Sequence, residues 1–212
     1  MTALLMTLVR TIGFDFMTFG LLSTACHAPV SKPRIPLICY GFNLAFDVRQ
    51  KFMTPRQSEI SAESYAASVL ARAGYQVSVQ YGANQPDYDL VAEKPGRILL
   101  VSVKGSQDGG WPLAVARKKK EVTYHQAIDE WKATQRKDIV FIFVQFLGIP
   151  LTSAPRVYVA RPDDVATYMK SQCNGRGHCS LAENYRRDHP KSHYTQQIPK
   201  DWNFSQVRID TI

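Results

Sequence analysis

A chain of 212 residues, 45% hydrophobic and 21% charged, has the balance of a soluble globular protein: one domain with decorations, or two small ones. A net charge of +8 favours an anionic partner, of which nucleic acid is the commonest. Four cysteines are too sparse for a disulfide-stapled scaffold, and no unbroken apolar run reaches the ~18 residues of a membrane span.

Residues 1–52 have no clean period, and Pro29, Pro33 and Pro36 break any long helix. Leu4–Val9 and Phe16–Leu22 are apolar, and Ser23-Thr24-Ala25-Cys26 is faintly like a lipoprotein cleavage site. Arg10 and Asp15 interrupt that run, so the reading preferred over export is a cytoplasmic protein with free thiols. Met53-Thr54-Pro55-Arg56 looks like a fresh start, so residues 1–52 are taken as an extension or a mis-assigned start, 53–171 as the core and 172–212 as a tail.

Apolar residues at helical spacing, Ile60, Ala66, Ala67, Leu70 and Ala73, predict a helix over 58–73 that stops at Gly74. Strict alternation predicts a strand over 76–80. After a turn at 83–86, strands follow at 87–92 and 98–104, joined by Pro95-Gly96. Residues 105–110 read as a loop and 121–134 as a helix. A strand over 139–146 is apolar enough to be buried on both faces. A strand at 156–160 and a helix at 162–170 complete the core. This order predicts a mixed α/β fold with helices on the faces of a central sheet. In the tail, Trp202 and Phe204 alternate and are expected to dock on the core.

Polar residues on the paired strands carry the chemistry. Asp87 and Asp89 share one strand face, and Ser102 and Lys104 share one on the next. Glu63 lies three residues after Ile60 and seven before Leu70, on the apolar side of the first helix. A carboxylate facing a sheet needs a partner, because an unpaired buried charge is costly. A divalent cation held with Asp89 supplies one. Lys104 beside it suits phosphodiester hydrolysis.

This set resembles the PD-(D/E)XK nuclease superfamily, restriction-endonuclease-like and Holliday-junction-resolvase-like. Glu63 stands eleven residues before Gly74; Asp89-Leu90-Val91 is followed, fifteen residues after Asp89, by a strand ending Ser102-Val103-Lys104. The resemblance covers residues 58–147. It implies an α-β-β-β-α-β core, a magnesium- or manganese-dependent endonuclease acting on DNA, and a homodimer. It also implies a catalytic set of Glu63, Asp89, Ser102 and Lys104, with Asp89, Glu63 and the Val103 carbonyl on the metal. Ser102 departs from the pattern, since its hydroxyl is a poorer ligand for a hard dication than the carboxylate the family has there. The same fold with catalysis lost, kept for binding nucleic acid, is the alternative.

Further along, Gln107 and Trp111 in the glycine-containing segment after Lys104 are candidates to meet a phosphate and stack on a base, with a folded turn that buries Trp111 in the core as an equal alternative. Arg117, Lys118, Lys119 and Lys120 lead into the second helix, where cations oppose its dipole, so phosphate contact is expected of them. Arg186-Arg187 with Lys191 is a second basic cluster. Cys173, His178 and Cys179 are spaced too loosely for a zinc knuckle.

Overall fold

In the computed structural model, residues 53–80, 87–183, 185–186 and 195–212 are described. The expectations for residues 1–52, for the turn at 83–86 and for Arg187 and Lys191 lie outside them.

Helix α1, Pro55–Arg72, begins three residues earlier than its apolar period suggests. Thr54 is the reason. Its hydroxyl accepts from the Gln57 amide at 3.3 Å while the Gln57 side chain accepts from the Thr54 amide at 2.9 Å, and Pro55 at the first helical position has no amide to satisfy. Gly74 ends the helix with φ of +86°, a conformation glycine adopts without penalty.

Strands β1 (Gln76–Val79), β2 (Leu90–Lys94) and β3 (Arg97–Ser106) form an antiparallel meander. A two-residue strand β4 (Gly110–Trp111) and a short 3₁₀ turn (Val115–Arg117) precede α2, Tyr124–Ala133. The chain then enters β5, Ile139–Gln145, parallel to β3, and returns antiparallel along β6, Arg156–Ala160. The main sheet runs β1-β2-β3-β5-β6. A helix between β3 and β5 is what a parallel neighbour requires, since no tight turn can reverse the chain twice. Helix α3, Pro162–Ser171, follows. The short strands β7 (Leu181–Ala182), β8 (Tyr185–Arg186) and β9 (Thr195–Gln196) come next, and β7 pairs with β4 while β8 pairs with β9. Helix α4, Gln206–Thr211, ends the chain. The fold class is the expected one: a five-stranded mixed sheet between helices, in the order α-β-β-β-α-β.

Helix α1 covers one sheet face. Ala62, Ala66 and Leu70 pack there on Leu90, Leu99, Val101, Val140 and Ile142. Helices α2 and α3 belong to the core on the opposite face, where Ile128, Trp131, Val165 and Met169 join Phe141, Phe143 and Tyr158. All seven residues of β5 are buried, as its unbroken apolar run implies. The tail packs on both sides. Trp202 joins the α2–α3 core, edge-to-face with Tyr168 at 5.5 Å between ring centroids, whereas Phe204 and Ile209 pack on the α1 side. Phe204 donates its amide to the Val157 carbonyl, so the tail lies along β6, an edge strand that would otherwise expose unpaired backbone.

Candidate active site

The site is built where β2 begins and β3 ends. Strand β2 starts at Leu90, so Asp89 stands just before it and Asp87 is exposed beyond; neither lies within the strand as expected. Asp89 still continues the ladder. Its amide donates to the Val101 carbonyl at 2.8 Å, and its carboxylate Oδ2 accepts from the Val103 amide at 2.6 Å. A side chain thus satisfies the next β3 amide where the β2 backbone has left off. Amide and carbonyl of one strand residue project to the same neighbour, so the Val103 carbonyl also faces the side where Asp89 sits.

Strand β3 continues two residues past Lys104, to Ser106, so Lys104 is not the strand end predicted for it. Alternation along β3 sends Val101 and Val103 into the core under α1. Ser102 and Lys104, paired in register with Phe141 and Phe143, therefore emerge on the opposite face. Ser102 is 4% exposed and Lys104 half-buried.

Glu63 comes from the other side of the sheet. The buried stripe of α1 is Ser58, Ala62, Ala66, Val69 and Leu70. Ile60, expected in it, is 47% exposed, and Glu63 is half-buried at the flank rather than central. The stripe is small because α1 lies tight on β3. A methyl group on Gly105 would stand 2.6 Å from the Ser58 carbonyl oxygen and 2.9 Å from the Ala62 Cβ. That approach brings Glu63 within electrostatic range of both Asp89 and Lys104. Burial first, then the Asp89 charge, raises the Glu63 carboxyl above its usual range, while Arg56 and Lys104 pull it down. Glu63 from α1, Asp89 from the approach to β2 and Lys104 from β3 therefore lie within electrostatic range at one end of the sheet, with Asp87 exposed beyond Asp89.

Two carboxylates, of which Asp89 raises the proton affinity of Glu63, beside a backbone carbonyl make an all-oxygen donor set of the kind Mg²⁺ and Mn²⁺ take. A bound dication would relieve the Glu63–Asp89 repulsion. Among the described residues, no three His, Cys, Asp or Glu side chains cluster closely enough to hold a metal by themselves. Carbonyl, hydroxyl or water oxygens must complete the set. Cys179 is buried in the α2–α3 core and the His178 ring packs on the Ser180 backbone, so Cys173, His178 and Cys179 do not converge as ligands.

The loop residues are placed differently from expectation. Trp111 is not a surface for stacking a base. It is 2% exposed in the core, with ring edges toward Phe143 and Tyr158, and its indole N–H donates to the Lys104 carbonyl at 2.8 Å. A large aromatic next to the aromatic end of β5 gains more from burial than from water. This bond ties the backbone of Lys104 to the core. Ser106 and Gln145 brace the loop beneath: Gln145 donates to the Ser106 hydroxyl at 3.1 Å, and the Ser106 hydroxyl donates to Asp108 at 2.9 Å. Gln107 donates its amide to the Met53 carbonyl and lines a groove of about 980 Å³ with Tyr65, Phe146 and Leu151.

The basic run is outside α2. Thr123 caps that helix through a second box with Gln126, so the helix begins at Tyr124 and Arg117–Lys120 precede it. The dipole conflict expected for these cations does not arise. Arg117, Lys119 and Lys120 are exposed, and Lys118 sits over the Tyr124 ring with Nζ 5.2 Å from its centroid. The Arg176 guanidinium sits over the same ring at 5.3 Å. The sequence reading had no place for Tyr124 or Arg176; an arginine between two glycines at 175–177 was the available signal.

No family model matches this chain, and no curated protein does. Among solved structures it aligns with a bacterial homing endonuclease, I-Ssp6803I, at 17% identity over 71% of this chain and 89% of that one, with a TM-score of 0.37. A superposition that loose carries no argument about chemistry.

Proposed function

We propose that this protein is a metal-dependent endonuclease of PD-(D/E)XK type that hydrolyses DNA phosphodiester bonds. The observation that supports the reading is that the Asp89 carboxylate accepts from the Val103 amide at 2.6 Å, next to Lys104, while α1 packs on Gly105 and carries Glu63 into electrostatic range of both. Asp89, Glu63 and the Val103 carbonyl would hold Mg²⁺ or Mn²⁺, which would supply charge stabilisation at the scissile phosphate. Lys104 is positioned to orient an attacking water and to offset charge developing on the phosphate. The Trp111 bond to the Lys104 carbonyl fixes the backbone from which that side chain extends.

A second reading, a nucleic-acid-binding protein that has lost catalysis on this fold, is favoured by Ser102. It stands where the family pattern has a carboxylate, and it is nearly buried. Plasmid and branched-DNA cleavage with Mg²⁺ or Mn²⁺, run beside Asp89→Ala and Lys104→Ala, separates the two. Metal-dependent cutting by the parent, lost in both variants while DNA binding persists, supports the nuclease. An uncut plasmid with salt-sensitive binding intact supports the degenerate form, and Ser102→Glu then tests whether restoring the third carboxylate restores cutting.

A further inference from the structure

Among the described residues, the cations around Tyr124 differ from several others. Lys94, Lys132, Arg136, Arg156, Lys170 and Arg208 each lie within ion-pair distance of a carboxylate. Among the described residues no carboxylate is so placed for Arg117, Lys118, Lys119, Lys120 or Arg176. Instead Lys118 and Arg176, from segments far apart in the chain, converge on one aromatic ring. Gathering like charges without a counter-charge is unfavourable unless an anion is to come.

The arrangement is held in place before any ligand arrives. The 171–177 turn closes on itself through the Gly175 amide to the Ser171 carbonyl and the Gly177 amide to the Gln172 carbonyl, at 3.1 and 2.9 Å. The His125 ring N–H at Nε2 donates to the Gly175 carbonyl at 2.8 Å, tying the turn to the first turn of α2. Gly177 has φ of +88°, and a methyl there would stand 3.1 Å from both Tyr124 Cβ and His125 Cδ2. Only glycine lets the turn close this tightly and lay Arg176 on the ring. On the other side, the Ala114 amide donates to the Cys179 carbonyl at 2.9 Å, fixing the 115–120 segment beside the 176–179 segment.

We propose that Lys118 and Arg176, mounted on Tyr124 and extended by Arg117, Lys119 and Lys120, form a preorganised clamp for the phosphodiester backbone of nucleic acid. The proposal deepens the nuclease reading and rests on it for the identity of the anion. The ring is occupied by the two cations, so it holds them in position and leaves recognition to phosphate. Binding through this clamp is therefore indifferent to sequence.

The test is fluorescence anisotropy of the full chain on two labelled duplexes of unrelated sequence, in EDTA, across a salt series. Lys118→Ala/Arg176→Ala should weaken binding to both duplexes alike and flatten the log K against log salt slope by about 1.8, at about 0.9 per lost phosphate contact. Gly177→Ala, which keeps every charge, should weaken binding in the same direction. Lys132→Ala/Lys170→Ala, removing paired cations from the neighbouring helices, should leave the slope unchanged. Circular dichroism melts confirm that each variant is folded. An unchanged slope in the first double variant overturns the clamp, as does an equal loss in the control pair, or binding to phosphatidylserine vesicles in place of DNA. Because no metal is present, the outcome is independent of cleavage: a parent that binds through the clamp but never cuts defeats the nuclease reading alone.

Discussion

The two faces of the central sheet are built from different materials. Under α1 the core is aliphatic and small, with Ala62 and Ala66 against Val101, Val103 and Ile142. Under α2 and α3 it is aromatic and bulky, with Trp111, Trp131, Phe141, Phe143, Tyr158 and Trp202. Small residues let a helix come close to a strand. Large ones fill a wider gap and bury more area per residue. The thin face sets the positional precision, because its depth decides how near α1 brings Glu63 to Asp89 and Lys104. The thick face carries much of the stability, and through Trp111 it steadies the Lys104 backbone from beneath.

The contrast can be broken most severely on the aromatic face. Trp111→Ala should cost about 3–5 kcal/mol, the range for emptying a large aromatic site, and chemical denaturation will read it. A loss below 1 kcal/mol would mean that the cluster is loosely packed. On the aliphatic face, Gly105→Ala should cost about 1–3 kcal/mol by overpacking, because the new methyl meets the Ser58 carbonyl, which is helix backbone and yields little. If the two faces divide labour as argued, Gly105→Ala should also reduce any thermal shift produced by Mg²⁺ or Mn²⁺, since it pushes α1 and Glu63 away from Asp89. An undiminished metal response would separate α1 from the site.

Glu63→Gln sharpens the comparison with a smaller effect. The Glu63 carboxyl is raised in the folded protein, so ionising it costs stability as pH rises above its usual value of 4.5. The isosteric amide should therefore melt higher than the parent at neutral pH. That advantage should disappear below about pH 4.5, where both states of the parent are protonated. Saturating Mg²⁺ should close the gap by raising the parent only. A parent that melts at or above Glu63→Gln in metal-free buffer at pH 7 would contradict the electrostatic account.

The smallest expected effect is at the hairpin turn between β2 and β3, where α4 is fastened. Gln206 and Lys94 hydrogen-bond the Asp210 carboxylate and, with the Tyr75 hydroxyl, hold it down to about 2. A depressed carboxyl stabilises the fold above its ordinary 3.8 and loses that contribution as pH falls toward 2. Asp210→Asn should lower the melting temperature slightly at pH 7 and flatten its decline between about pH 4 and pH 2, measured by circular dichroism. Gln206 is exposed, and Lys94 and Asp210 are partly so, so screening keeps the effect small and salt-sensitive.

Much of the architecture was legible in the sequence because it rests on local rules. The β5 run from Ile139 to Gln145 read as a buried strand and Pro95-Gly96 as a turn, and both formed. Gly74 stopped α1 where its left-handed backbone demands glycine. Glu63, Asp89 and Lys104 could be picked as candidates from their types and intervals. Helix starts were misjudged where an apolar period was trusted over the capping boxes at Thr54 and Thr123, which are written in the chain as Thr-Pro-Arg-Gln and Thr-Tyr-His-Gln.

The rest was decided by contacts between distant segments. Periodicity says that α1 has a buried face but not how deep, and Gly105 sets that depth by lacking a side chain where Ser58 and Ala62 cross it. Trp111 had equal claims to surface and core until Phe143 and Tyr158 were brought around it. Asp89 closes the Val103 end of the β3 ladder only because the two strands are in register. Arg176 meets Lys118 only because the 173–177 turn folds back on α2. The chain's own pattern determined which elements form and which residue types could do chemistry. Only the tertiary fold decided which of them meet, because proximity between remote residues is a property of packing and not of spacing along the chain.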